Sequence, residues 1–122
     1  MSGYEANRPI YLQIMERIKT YIVLGTLKPG EKLLSLRDMS LKMKVNPNTM
    51  TRVYSELEKK GIVETRRGLG TFVLDDDMLA EKLKNEVLDS KVLKFVKSLT
   101  DAGFSSEQII DCVKTAFDEL GV

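Results

Sequence analysis

Two helix-start signals, eleven residues apart, constrain the fold of this 122-residue chain more than any other feature. Ser35 is a good N-cap and precedes an apolar pattern over residues 36–43, whereas Asn46 caps a second pattern whose first residue is a proline. The second pattern runs over residues 47–60 and stops at Gly61, which suits a left-handed helix end. The spacing therefore predicts two helices joined by a turn of about three residues, which is the core of a helix-turn-helix.

The segment after Gly61 changes from a helical to an extended pattern. Residues 62–66 and 71–74 are rich in β-branched and aromatic side chains, and a loop with two glycines separates them. Two such runs around a glycine-containing loop predict a β-hairpin. A hairpin directly after a helix-turn-helix is the wing of a winged helix.

Apolar residues at helical spacing predict three further helices, over residues 9–24, 78–100 and 106–120. Ser105 and Gln108 form a capping box at the start of the last one. We therefore expect a mainly α fold with a small β wing. Its two parts are a winged helix-turn-helix over residues 1–74 and a two-helix dimerisation tail over residues 75–122.

The formal net charge of +1 hides an uneven distribution along the chain. Residues 1–74 contain 13 Lys or Arg against 7 Asp or Glu, a formal charge of +6, and residues 75–122 contain 6 against 11, a formal charge of −5. Because a polyanion is attracted to clustered cations, we expect the N-terminal part to bind nucleic acid.

The composition also excludes several classes of function. The chain has no histidine and one cysteine, Cys112, so it has neither the usual general base nor the ligands of a zinc site. A glycine-rich phosphate loop is also missing, and we expect no enzyme activity, metal or cofactor. The polar start of the chain and the lack of a long apolar run predict neither a signal peptide nor a membrane span, and hence a cytoplasmic protein.

The third predicted helix has one apolar and one polar face. At about 100° per residue, Met50, Val53, Tyr54 and Leu57 share a stripe that must face the core. The polar face begins in the first turn, where a recognition helix meets base edges, and carries amide, hydroxyl and guanidinium groups that pair with bases or phosphates. Such a face is often merely solvated, but the preceding short helix and the following hairpin favour DNA binding.

Two other positions are candidate DNA contacts. Arg37 lies near the start of the second helix, where the alternative is an ion pair with Asp38 or another acid. The arginines at the hairpin tip suit a minor groove or a phosphate, although exposed arginines at such a tip can also serve only solubility. The candidate DNA-contacting residues are Ser35, Arg37, Asn46, Asn48, Thr49, Thr51, Arg52, Arg66, Arg67 and Gly68.

The first tail helix shows two opposed sets of apolar residues, which indicates burial on both sides, against the last helix and against a partner subunit. The alternative is a kinked helix with one continuous apolar surface. One set consists of Leu79, Leu83, Val87 and Leu93, and the other of Leu88, Val92, Phe95, Val96 and Leu99; all except Leu93 are candidate dimerisation residues. An apolar stripe on the last helix is expected to pack on this helix, and it consists of Ile109, Val113, Ala116, Phe117 and Leu120.

The order of the motifs resembles the GntR family of bacterial regulators. The matching stretches are PIYLQI (9–14), GTLKPGEKL (25–33), SLRD (35–38), VNPNT (45–49) and RRGLGTFV (66–73). The resemblance implies DNA contacts from Arg37, from residues 46–52, and from Arg67 and Gly68 in the wing. Leu34 departs from the family pattern, which has a proline before the serine.

The short tail resembles that of the YtrA-like branch of the family. This resemblance implies a homodimer formed through two tail helices, and repression of a transporter operon. The expected partners are a near-palindromic double-stranded DNA operator and a second copy of the chain, and the sequence identifies no effector. The alternative is a winged-helix adaptor that binds proteins without operator specificity.

Overall fold

A computed structural model describes residues 3–122, which form five α-helices and two β-strands. The chain divides into two compact units, one ending at Val87 and the other beginning at Leu88. The elements are α1 (Ile10–Val23), α2 (Leu36–Met43), α3 (Pro47–Lys59), β1 (Val63–Arg66), β2 (Gly70–Val73), α4 (Leu79–Asp101) and α5 (Ser106–Leu120). The predicted mainly helical fold with a small β wing is confirmed, and α2 and α5 have the predicted bounds.

Side-chain caps start the two helices of the helix-turn-helix where the sequence predicts them. The Ser35 hydroxyl accepts a hydrogen bond from the backbone N–H of Asp38 at 3.1 Å, and the Asn46 side chain accepts one from the N–H of Asn48 at 2.8 Å. Each cap satisfies a backbone donor that has no partner within the helix. The turn between these helices passes through Lys44, whose φ of 58° lies in the left-handed region.

The core of the first unit forms where α1 and α3 pack against each other. Ile14, Ile18 and Ile22 recur along α1 at helical spacing and are fully buried or nearly so. On α3, the predicted stripe of Met50, Val53, Tyr54 and Leu57 is buried, as expected. Since the apolar stripe of α3 faces inward, its polar side chains are left at the surface.

The wing has a third backbone segment in addition to its two strands. β1 and β2 are antiparallel, with Val63 opposite Val73 and Arg66 opposite Gly70. On the other side of β2, the N–H of Gly30 donates to the Val73 carbonyl at 3.0 Å, and the N–H of Leu33 donates to the Thr71 carbonyl at 2.8 Å. The segment before α2 therefore ties the wing to the helix-turn-helix.

Tyr54 connects α3 to the same segment. Its hydroxyl donates a hydrogen bond of 2.6 Å to the Leu34 carbonyl, directly before the Ser35 cap. Burial raises the pKa of the Tyr54 hydroxyl above its ordinary value, because the protein interior disfavours the phenolate. The hydroxyl thus remains a donor and fixes the start of α2 relative to α3.

The start of α4 belongs to the first unit. Leu79 and Leu83 are 5% and 2% exposed and lie in its hydrophobic core cluster. These side chains therefore pack within the chain, beside the winged helix-turn-helix core. None of the helices within residues 3–122 is long and apolar enough to cross a membrane.

The second unit leaves most of its apolar side chains exposed. Ile109 is buried and Val113 is half-buried, but Phe117 and Leu120 are 53% and 74% exposed. The prediction that the whole apolar stripe of α5 is covered by α4 is therefore wrong for this chain. The sequence pattern gives the direction of the stripe but not how much of it a neighbouring helix covers.

Replacing Tyr54 by Phe tests the bond to the Leu34 carbonyl. We expect Tyr54→Phe to lower the free energy of unfolding by about 1 kcal/mol at neutral pH. Above about pH 10 the tyrosine of the unfolded chain ionises while the folded chain keeps its proton, so the stability of the wild type falls and the difference between the two proteins shrinks. Urea unfolding from pH 7 to pH 11 measures both effects, and a constant difference would contradict the assignment.

Candidate nucleic-acid interface

The polar face of α3 presents the predicted DNA-reading side chains to solvent. Asn46, Asn48, Thr51 and Arg52 are exposed, and Thr49 is half-buried. Asn48 and Arg52 are four residues apart and therefore neighbours on one face of the helix. This face combines an amide and a guanidinium, the two groups that recognise adenine and guanine in the major groove.

Some of these side chains have already used part of their hydrogen-bonding capacity. The Asn46 oxygen accepts the cap bond, so its amide N–H groups remain. The Thr51 hydroxyl donates to the Pro47 carbonyl at 3.0 Å, which leaves it as an acceptor only. Ser35 accepts from Asp38 and keeps its own proton for donation. Asn48 makes no side-chain hydrogen bond within residues 3–122, so both its donor and acceptor groups are available.

Arg52 does not extend freely into solvent. Its guanidinium carbon lies 3.7 Å from the centre of the Tyr11 ring on α1. An arginine stacked on an aromatic face has its plane fixed but still presents its N–H groups at the edge of that plane. The sequence pattern does not indicate this pair, because Tyr11 and Arg52 lie on different helices.

The two arginines at the wing tip differ in their surroundings. Arg66 pairs with Glu64 at 2.8 Å and lies over the Phe72 ring at 4.3 Å, so its guanidinium is held on the hairpin. Arg67 and Gly68 are exposed in the loop, and Arg67 has no ion pair within the described part of the chain. Gly68 has a φ of 77° and open space around it, as a tight hairpin loop requires.

Arg37 is exposed on the first turn of α2. The alternative that it pairs with Asp38 or another acid is not what the structure shows, because Arg37 has no ion pair or hydrogen bond among residues 3–122. Its guanidinium is therefore available to an external anion.

Lys32 is a candidate that the sequence analysis missed. It lines an open cleft of about 600 Å³ between β2 and the start of α2, together with Ser35 and Thr71. A Cβ atom on Gly70 would lie 2.8 Å from the Lys32 Cε atom, so the end of the lysine side chain lies against the wing at Gly70. The sequence does show a basic residue two places after the Pro-Gly turn. Only the pairing of this segment with β2, however, places Lys32 beside the wing.

The predicted dimerisation residues fall into two groups. Leu79 and Leu83 lie in the core of the first unit, and Val87 at its end is half-buried. In the second unit Leu99 is half-buried, and the exposed members are Leu88, Val92, Phe95 and Val96. The second group forms an apolar surface on α4 that no part of its own unit covers fully.

The model of the family of bacterial regulatory proteins called gntR matches residues 10–73, which is more than half of the chain. The chain belongs to the GntR family. It is therefore a transcriptional regulator with a DNA-binding winged helix-turn-helix domain, and it is not an enzyme. The family match coincides with α1 to β2, the elements that carry the candidate interface.

Relatives of this GntR protein also cover the tail. An uncharacterized HTH-type transcriptional regulator of Bacillus subtilis, YhcF, is 42% identical over 118 residues, 97% of each chain. The HTH-type transcriptional repressor YtrA of Bacillus subtilis is 37% identical over 95 residues, 70% of this chain and 73% of YtrA. A solved GntR family transcriptional regulator from Listeria monocytogenes superposes with a TM-score of 0.80 at 38% identity, covering 92% of this chain and 98% of its own.

The two wing arginines are expected to differ in their effect on folding. Arg66→Ala removes an ion pair and an aromatic contact, and should lower the free energy of unfolding by about 0.5–1 kcal/mol. Arg67→Ala removes no hydrogen bond, ion pair or ring contact within residues 3–122, and should leave stability unchanged to within about 0.5 kcal/mol. Urea denaturation of both variants measures this difference, and equal losses of stability would show that Arg66 is not held on the hairpin in solution.

Proposed function

We propose that this GntR protein is a homodimeric repressor that binds a near-palindromic operator through α3 and the wing. The observation that carries the proposal is the exposed polar face of α3. There Asn48 and Arg52 are neighbours, and the N–H groups of their side chains make no hydrogen bond within residues 3–122. Family membership supports DNA as the partner, and the similarity to the transcriptional repressor YtrA supports repression. We also propose that the protein acts in the cytoplasm, where a chromosomal operator is accessible.

We assign the candidate side chains to two tasks. Asn48 and Arg52 read base edges in the major groove, because their geometry suits bidentate pairing with adenine and guanine. Arg37, Lys32 and Ser35 bind backbone phosphates, since phosphate oxygens accept hydrogen bonds from guanidinium, ammonium and hydroxyl groups. The remaining candidates supply secondary contacts, from Asn46, Thr49 and Thr51 on α3 and from Arg66, Arg67 and Gly68 on the wing.

A second copy of the chain is the proposed occupant of the apolar surface on the tail. Leu88 is 57% exposed, and Val92, Phe95 and Val96 follow it on the same side of α4. A two-fold dimer makes each copy bury the same patch, so a self-complementary apolar surface suits it. A dimer also provides two α3 helices for the two half-sites of a near-palindrome.

Replacing Asn48 by Ala tests base reading. With a duplex that the wild type enriches from a randomised DNA pool, we expect Asn48→Ala to bind about 5- to 150-fold more weakly, because each bidentate base contact supplies roughly 1–3 kcal/mol. Asn85→Ala, the same substitution at an exposed position on α4, is the matched control and should bind like the wild type. Unchanged binding by Asn48→Ala would contradict the base-reading role.

The same titrations at several salt concentrations separate phosphate contacts from base contacts. We expect Lys32→Ala and Arg37→Ala to weaken binding to the enriched duplex and to a scrambled duplex by the same factor. Each should also reduce the slope of log K, where K is the association constant, against log salt concentration by about one. Binding that does not respond to salt would instead support a protein-interaction adaptor.

Replacing Phe95 by Glu tests the dimer. Sedimentation equilibrium should show the wild type as a dimer and Phe95→Glu as a monomer, because the substitution places a charge in the apolar surface on each copy. Ser90→Glu adds the same charge on the opposite side of α4 and should remain dimeric. A monomeric wild type, or a dimeric Phe95→Glu, would remove this surface from the proposal.

A further inference from the structure

The Arg52–Tyr11 pair differs from the other cation–aromatic pairs of the described chain. Arg17 lies over Tyr4, but it also donates to the Gly3 carbonyl at 3.1 Å. Lys42 lies over Tyr21 at 5.5 Å, and an ammonium has no plane to orient.

Arg66, the stacked arginine of the wing, forms an ion pair with a carboxylate. Arg66 lies over Phe72, but Glu64 accepts hydrogen bonds from it at 2.8 and 3.1 Å. Arg52 has neither an ion pair nor a hydrogen bond within residues 3–122. Among the described residues, Arg52 is thus the one arginine whose guanidinium lies over an aromatic ring while none of its N–H groups donates a hydrogen bond.

This arrangement has a consequence for recognition. A free arginine side chain samples many rotamers, and ordering it on binding opposes affinity. Stacking on Tyr11 at 3.7 Å orders the guanidinium before DNA arrives and sets the plane in which its N–H groups point. Bidentate pairing with the O6 and N7 atoms of guanine requires such a defined plane.

We propose that Tyr11, on α1, is a positioning residue that holds Arg52 for bidentate recognition of one guanine in the operator. This inference rests on the proposed operator binding by α3. It assigns to α1 a part in sequence selectivity without any DNA contact of its own. Arg52 reads the base, and the Tyr11 ring fixes the direction from which it reads.

The test compares ring-retaining and ring-removing variants. With an enriched duplex, Tyr11→Leu should bind about two- to five-fold more weakly than the wild type, which is the effect of losing one exposed cation–aromatic contact. Tyr11→Phe keeps the ring and should bind like the wild type. Tyr21→Leu removes another half-buried ring of α1, the one beneath Lys42, and should leave binding unchanged. Thermal unfolding of each variant confirms that the fold is retained.

A modified base identifies the interaction. Replacing the critical guanine by 7-deazaguanine removes only the N7 acceptor, so it should weaken the wild type more than it weakens Tyr11→Leu. In the Arg52→Ala background, Tyr11→Leu should have no further effect on binding. If Tyr11→Leu fails to fold, Tyr11→Met also removes the ring but keeps a longer, flexible apolar side chain, and it should show the same losses.

The outcomes separate this inference from the proposal on which it rests. If the wild type enriches no sequence from the pool, operator binding and the role of Tyr11 both fall. If a sequence is enriched and Arg52→Ala weakens its binding, the role of Tyr11 alone falls when Tyr11→Leu binds equally well or more tightly. Additive effects of the two substitutions would overturn it as well.

Discussion

The packing of the apolar stripe of α3 against α1 is the constraint on which the rest of the first unit depends. Met50, Val53 and Leu57 are fully buried, so α3 has only one rotation about its axis that keeps them from water. This rotation turns Asn48 and Arg52 to the surface. The orientation of the DNA-reading face therefore follows from the packing of the core, because any other rotation of α3 about its axis would expose several large apolar side chains.

Two polar connections carry this constraint from α3 to the other elements. Tyr54 lies at the edge of the buried stripe and binds the Leu34 carbonyl, which places the start of α2. The segment before Leu34 pairs with β2, so the wing is fixed through the same stretch of backbone. The helix-turn-helix and the wing therefore share one short segment, and Lys32 and Ser35 at its surface line the cleft between them.

The sequence predicted the elements well because their signals are local. Ser35, Asn46 and the Ser105–Gln108 box act on backbone groups within three residues of themselves, and such contacts form in the same way wherever the helix lies. The sequence predicted the candidate interface less completely. The sequence pattern does not distinguish Arg66 from Arg67, whereas in the structure Glu64 and Phe72 hold Arg66 on the hairpin. Nor does the pattern indicate that the Lys32 side chain lies beside Gly70.

The sequence by itself determined the order of the elements, the two faces of α3 and the family to which the chain belongs, since these follow from helix caps, periodicity and motif order along one dimension. Tertiary structure alone decided which side chains from distant positions meet. It placed Tyr11 against Arg52, and it buried Leu79 and Leu83 in the first unit while leaving Phe95 exposed. The physical reason is that periodicity shows which way a side chain faces, whereas only packing shows what stands opposite it.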